Sequence, residues 1–270
     1  VYMERKLAGH FQRRPGPYEV GPHGILQTAV DAVKLVAKQL TTPGGADKWL
    51  FWAAPLLAFI PVPLCFLPIP FHDAKMTGLA HADLNLGILI ILAFSGLGVL
   101  SLCLAGWSSN NKWGLIGAAR AVSQSVAYEI PLLLTVLAIA FQTGSLNLID
   151  ISEAQGAWPW QWNAFYNPLA FFIFFVSALG ETNRAPFDMP EAESELTAGF
   201  HTEYSGMGFG LFFLAEYAAM VVICGVCATL FLGGYQGPFA PGAWWFLLKV
   251  YALLFVMMWL RWTYPRVRFD

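Results

Sequence analysis

Three ionisable residues stand inside long apolar runs of this 270-residue chain: Glu129, Glu216 and Lys249. Charge is costly in hydrocarbon, so an ionisable side chain kept there is a candidate for work on protons or ions. A carboxylic acid out of water resists ionisation and can hold a proton near neutral pH, which suits Glu129 and Glu216 to proton exchange. The plainer alternative for all three is a hydrogen bond to a neighbouring helix.

A denser constellation follows. Carboxylates occur at Glu181, Asp188, Glu191, Glu193, Glu195 and Glu203, together with Arg184 and His201. Glu191 and Glu195 share a face if the segment is helical, and Glu193 points elsewhere. A solvated acidic loop is the plain reading of such a run. Against it, Ala185, Pro186, Phe187, Met189, Pro190, Leu196 and Phe200 interleave apolar groups, as in a loop packed on protein. Cys224-Gly-Val-Cys227 has metal-like spacing, but no second pair or histidine is near it in sequence and both flanks are apolar, so these cysteines read as small apolar helix residues.

The elements that must carry these residues are membrane helices. Apolar residues make up 57% of the chain and charged ones 12%, with 11 Trp, 22 Phe and 9 Tyr. A soluble domain averages about 25% charged residues, so a soluble enzyme is excluded. A net charge of −2 provides no field for nucleic acid. About 20 apolar residues are needed per crossing, and segments 49–71, 84–106, 118–141, 165–180, 207–232 and 244–260 are candidates. They are too long and unalternating for barrel strands. The expected fold is an all-α integral membrane protein, a polytopic bundle forming one domain over 1–270. Prolines 55, 61, 63, 68 and 70 predict a broken first span. Residues 24–40 differ: Gln27, Asp31, Lys34 and Lys38 form one helical stripe and Leu26, Val30, Val33, Ala37 and Leu40 the opposite one. That pattern predicts an amphipathic helix in the interface plane or over the bundle.

Charge orients the bundle. Thirteen of fifteen Lys and Arg residues fall in the stretch before Trp49, the connection holding Lys112 and Arg120, the one holding Arg184, and the tail. The positive-inside rule then puts loops 1–48, 107–119, 182–206 and 261–270 on the cytoplasmic or mitochondrial matrix side. The acidic run at about 181–206 is thus expected to face inward. Residue 1 is Val and Glu4, Arg5 and Lys6 precede no apolar stretch, so no cleavable signal is read and the chain is expected to have lost its true beginning.

The segment from Glu181 to Tyr217, ETNRAPFDMPEAESELTAGFHTEYSGMGFGLFFLAEY, closely resembles the signature of the quinone-chamber membrane subunit of respiratory complex I, called the H subunit in bacteria and the ND1-type subunit in mitochondria. Arg14-Pro-Gly-Pro, Val20-Gly-Pro-His-Gly, Asp31-Ala-Val-Lys34, Ala46-Asp-Lys48, Ala82-Asp-Leu-Asn-Leu-Gly87, Gly106-Trp-Ser-Ser-Asn-Asn-Lys112 and Leu230-Phe-Leu-Gly-Gly match as well, so the resemblance covers essentially the whole chain. It implies about eight helices, with further ones before Glu4 and after Arg268, in the bacterial cytoplasmic membrane or the mitochondrial inner membrane. It also implies a ubiquinone or menaquinone substrate, no flavin or iron–sulfur cluster in this chain, and no redox activity alone. The implied partners are the hydrophilic-arm quinone-site and iron–sulfur subunits, the antiporter-like and small membrane subunits, and membrane lipid.

Position by position, the resemblance implies that Arg14 stands at the chamber mouth and that Asp31 and Lys34 lie on the helix lining it. Arg184 and Asp188 belong to the chamber, and Glu129, Glu181, Glu191, Glu193, Glu195 and Glu216 to a buried acidic chain passing energy or protons onward. Tyr18 and Glu19 depart from the family pattern after Gly-Pro, as does Gln39 after Lys38, which affects the electrostatics of the mouth. Two rivals remain. One is the homologous subunit of a membrane-bound hydrogenase or ferredoxin-driven ion pump. The other is a stand-alone secondary transporter, for which the expected repeat symmetry is not seen.

Overall fold

The computed structural model describes residues 1–72, 84–189, 198–238 and 241–267. Among the described residues the regular structure is all helical, and the protein is an all-α membrane protein. Its helices are α1 (Tyr2–Phe11), α2 (Gln27–Ala37), α3 (Lys48–Phe59), α4 (Pro61–Leu64), α5 (Gly87–Ser108) and α6 (Lys112–Thr143), then α7 (Leu148–Glu153), α8 (Asn163–Tyr166), α9 (Pro168–Glu181), α10 (Gly206–Phe231) and α11 (Ala243–Thr263). Four of them, α5, α6, α10 and α11, are long and apolar enough to cross a membrane.

The predicted spans map onto these helices with instructive shifts. The proline-rich first span is α3 followed by α4, with Pro55 inside α3 and Pro61 opening α4. The predicted 118–141 span is only part of α6, whose 32 residues extend roughly 48 Å at 1.5 Å per residue. That exceeds a hydrocarbon core of about 30 Å, so α6 tilts or projects beyond it. Asn111 starts the helix by accepting a hydrogen bond from the Trp113 backbone N–H at 3.0 Å, and Gly144, at φ +71°, ends it. Helix α9 is only 14 residues long and finishes on Glu181, so this acid sits where the short apolar helix stops.

Helix α2 is shorter than the predicted 24–40. His23 in the Pro22–Gly24 turn has a left-handed φ of 54°, and Lys38 is extended at ψ 138°. Its polar stripe is the side nearer the protein: Gln27 and Asp31 are half-buried while Leu26, Val33 and Val36 are exposed. Leu35 makes the apolar contact with α10 at Gly206 and Gly210.

The core lies where α10 packs on α3 and α11 while α5 and α6 pair alongside. At Gly117 on α6 a side chain would drive Cβ to within 2.7 Å of the Gly199 Cα. This bare patch lets the Gly199–His201 turn press Phe200 into a cluster with Phe51, Ala118, Ala121 and Phe212. The start of α10 and the end of α9 thereby meet the middle of the bundle, which positions the site.

Candidate functional site

A narrow apolar cavity of about 200 Å³ runs between α3, α5, α6, α9 and α10. Its walls are Phe, Leu, Ile and Val, and its few polar groups include Glu181, Glu216 and His201. Two of the carboxylates singled out in sequence therefore face one space, although 35 residues separate them.

Glu216 is held by an ion pair, Arg184 Nε standing 2.8 Å from Glu216 Oε1. Arg184 is 5% exposed, and its guanidinium lies 4.3 Å from the centre of the Tyr217 ring. Its Nη1 is 3.7 Å from Glu4 Oε1, which is also paired with Arg261. Burial works against the Arg184 charge, but Glu216, Tyr217 and Glu4 more than offset it and hold the guanidinium above its ordinary value. Two arginines and two carboxylates thus form one network joining α1, the loop after α9, α10 and α11. Composition hides this arrangement. Glu4 stands in a charged amphipathic first helix and Arg261 reads as a topology signal, so neither stands out in sequence.

Gln124 of α6 fixes the loop that carries Arg184. Its amide nitrogen donates to the Gly180 carbonyl at 2.9 Å, Asn183 Oδ1 at 3.1 Å and the Phe187 carbonyl at 2.6 Å. Gly180 is required beside it, since a Cβ there would lie 2.4 Å from the Tyr128 ring. Glu181 follows directly. Its Oε2 is buried and has no hydrogen-bond partner among the described residues, and the charge of Glu129 acts on it from α6. An orphaned buried acceptor costs about 1–3 kcal/mol, so this oxygen is poised to take a proton or a water. His201, across the cavity, is pushed down to about 4 by burial, which outweighs the opposing pull of Asp188. Its ring is neutral at physiological pH.

The other predicted residues are placed elsewhere. Asp188 pairs with Arg266 at 3.2 Å, joining the loop to the tail. Asp31 meets Arg5 at 2.5 Å; hydrogen bonds from Gln27 and Arg5 hold its carboxyl below the usual range. Arg14 is exposed and donates to Gln12 at 2.8 Å, and Lys34 is exposed. These three gather on the α1–α2 side and none lines the cavity. Glu191, Glu193 and Glu195 lie outside the described residues. Lys249 takes the plainer of its two readings. Its ammonium donates to the carbonyls of Leu232, Gly234 and Gln236 at 2.6, 2.9 and 2.6 Å. Cys224 and Cys227 are buried, and Cys224 Sγ lies 3.6 Å from Met257 Sδ; among the described residues no three His, Cys, Asp or Glu side chains converge as metal ligands would.

Comparison with known proteins adds an independent line. The family described as NADH dehydrogenase matches residues 1–270. The H subunit of NADH-quinone oxidoreductase from Desulfotalea psychrophila is 50% identical, over 98% of this chain and 82% of its own length. Proteins of the same name from Dehalococcoides mccartyi and Rhodospirillum centenum are 49% and 47% identical over the whole of this chain and 74% and 80% of their own.

Proposed function

Because the chain belongs to the family of membrane H subunits of NADH-quinone oxidoreductase, we propose that it walls a quinone-access chamber and links quinone reduction to proton translocation through its buried carboxylates. As a member of that family it works within a multisubunit membrane enzyme, beside the other complex I subunits. The hydrogenase and stand-alone transporter readings are not favoured, since the relatives carry the quinone oxidoreductase name over nearly all of this chain.

The observation that carries the proposal is the sharing of one apolar cavity by Glu181 and Glu216, with Arg184 against the second acid. The electrons come from partner subunits; this chain contributes ubiquinone or menaquinone access on its α1–α2 side, lipid contact, and a charge path. A negative quinone species arriving near Arg184 competes with Glu216 and Glu4 for that cation. The carboxylates respond by shifting protons among Glu181, Glu129, Glu216 and the 190–197 acids, an electrostatic coupling that needs no direct contact. The basic loops 1–48, 107–119, 182–206 and 261–270 face the cytoplasm or matrix in this reading, by the positive-inside rule.

Gly98 gives a direct test. It lines the cavity, and a Cβ there meets nothing within 4 Å, so Gly98→Phe fills the space with little strain on the backbone. The assembled complex is expected to oxidise NADH with a hydrophilic acceptor at the normal rate and to lose most NADH:quinone turnover and proton translocation. Undiminished proton translocation would show that the path runs elsewhere. At the mouth, Arg14→Ala is expected to lower quinone turnover several-fold, mainly by raising the apparent KM for quinone, with the hydrophilic-acceptor rate kept. Equal losses in both assays would indicate an assembly defect instead.

A further inference from the structure

We propose that the far end of α10 is built as a dry, positively charged seal that stops protons leaking through the acid-bearing cavity. The inference rests on the functional reading above and on the sidedness given there, which places this end on the outer face.

Along α10 the cavity lining runs from Phe209 to Val226, roughly 25 Å at 1.5 Å per residue. A bilayer core is about 30 Å thick. Only the last turns of the helix therefore separate the cavity from the outer solution. In those turns the protein abandons the exposed face usual for a membrane helix. Cys227 is 2% exposed, and Ala228, Thr229, Leu230 and Phe231 are each 0% exposed. Phe231 is wedged against Phe171 and Phe174, with Ile69, Leu148 and Ile151 in the same fully buried cluster. An apolar constriction of this kind resists wetting, and without a water chain protons have no route.

A dry plug alone leaves a weakness. The end of a helix exposes unpaired carbonyls and the negative end of its dipole, which attract cations and hydronium. Here those carbonyls are taken up by side chains from other elements. The Gln155 amide donates to Thr229 and Leu230 at 2.9 and 3.2 Å, and Asn163 donates to Leu230 at 2.9 Å. Ser152 donates to Gly233 at 3.2 Å. Lys249, 4% exposed, spends its three donors on Leu232, Gly234 and Gln236 and lies 4.6 Å from the centre of the Trp162 ring. No carboxylate neutralises it among its described contacts. A neutral amide would serve a purely structural cap. A lysine puts a full positive charge at the one place where the cavity approaches the outer face, and a fixed cation beside a pore excludes protons and other cations.

The test uses the intact complex in liposomes holding a pH-sensitive dye, with an imposed pH gradient and no NADH. Lys249→Gln keeps hydrogen bonding and removes the charge. Its gradient is expected to collapse at least roughly tenfold faster than wild type, since a charge in a poorly screened path acts strongly; Lys249→Arg should match wild type. Quinone turnover measured with an uncoupler should stay unchanged in both. A wild-type decay rate in assembled Lys249→Gln complex overturns the proposal. Where Lys249→Gln does not assemble, Ile151→Ala decides: it thins the plug without touching the lysine, and a wild-type decay rate there overturns the proposal equally. Failure of the sidedness reading is seen separately. Trp160, 62% exposed, replaced by Cys should react with an impermeant maleimide from the outer face only.

Discussion

Arg184→Met is expected to destabilise the assembled complex by about 3–5 kcal/mol, the cost of removing one partner from a buried ion pair. The substitution strands Glu216 at a site where Arg184 Nε stood 2.8 Å away, and it leaves Glu4 with Arg261 alone. The yield of intact complex on native gels should fall by at least tenfold. Adding Glu216→Gln removes the stranded charge. The double variant should assemble far better than Arg184→Met, because replacing both members of a buried pair by neutral groups is often close to neutral in stability. It should nevertheless remain defective in quinone turnover, having lost both the cation and the titrating acid. If the double variant assembled no better than the single one, the two residues would not be acting as a pair.

The second large effect belongs to Glu181. Gln in its place keeps shape and hydrogen-bonding capacity while removing the titrating group. Loss of a proton-transferring side chain costs typically about 10²–10⁴-fold in rate, so coupled quinone turnover should fall by at least about a hundredfold. Glu181→Asp should retain part of it. Glu129→Gln should behave similarly but less severely, since Glu129 acts on Glu181 through its charge.

How legible this arrangement is in the sequence depends on the kind of signal each residue carries. Glu216 and Glu181 stand out because a carboxylate within or at the end of an apolar run breaks the composition around it. Five of the six apolar segments can be delimited to within a few residues for the same reason. Helix α6 is the exception: Lys112 and Arg120 interrupt hydropathy but not helicity, so the helix continues well upstream of the apolar run at 118–141. Glu4 and Arg261 cannot be found this way. Each is a charge among charges near a chain end, and only the packing of α1 on α11 brings them to Arg184. Helix α2 shows another limit. Periodicity correctly separates its two stripes but does not say which one the protein covers, and the Arg5–Asp31 pair draws the polar stripe inward. Lys249 illustrates the converse: a buried lysine is conspicuous in sequence, yet its partners are backbone carbonyls, which no side-chain pattern announces.

Whether the cavity carboxylates carry the proton coupling is the central question. The most direct measurement is proton translocation per NADH oxidised, alongside NADH:quinone turnover, in assembled Glu181→Gln complex in liposomes, with NADH oxidation by a hydrophilic acceptor as the control. The predicted result is a normal control rate with quinone turnover and translocation both nearly abolished. Wild-type turnover with wild-type translocation would make Glu181 a packing residue and would contradict a proton path through the cavity.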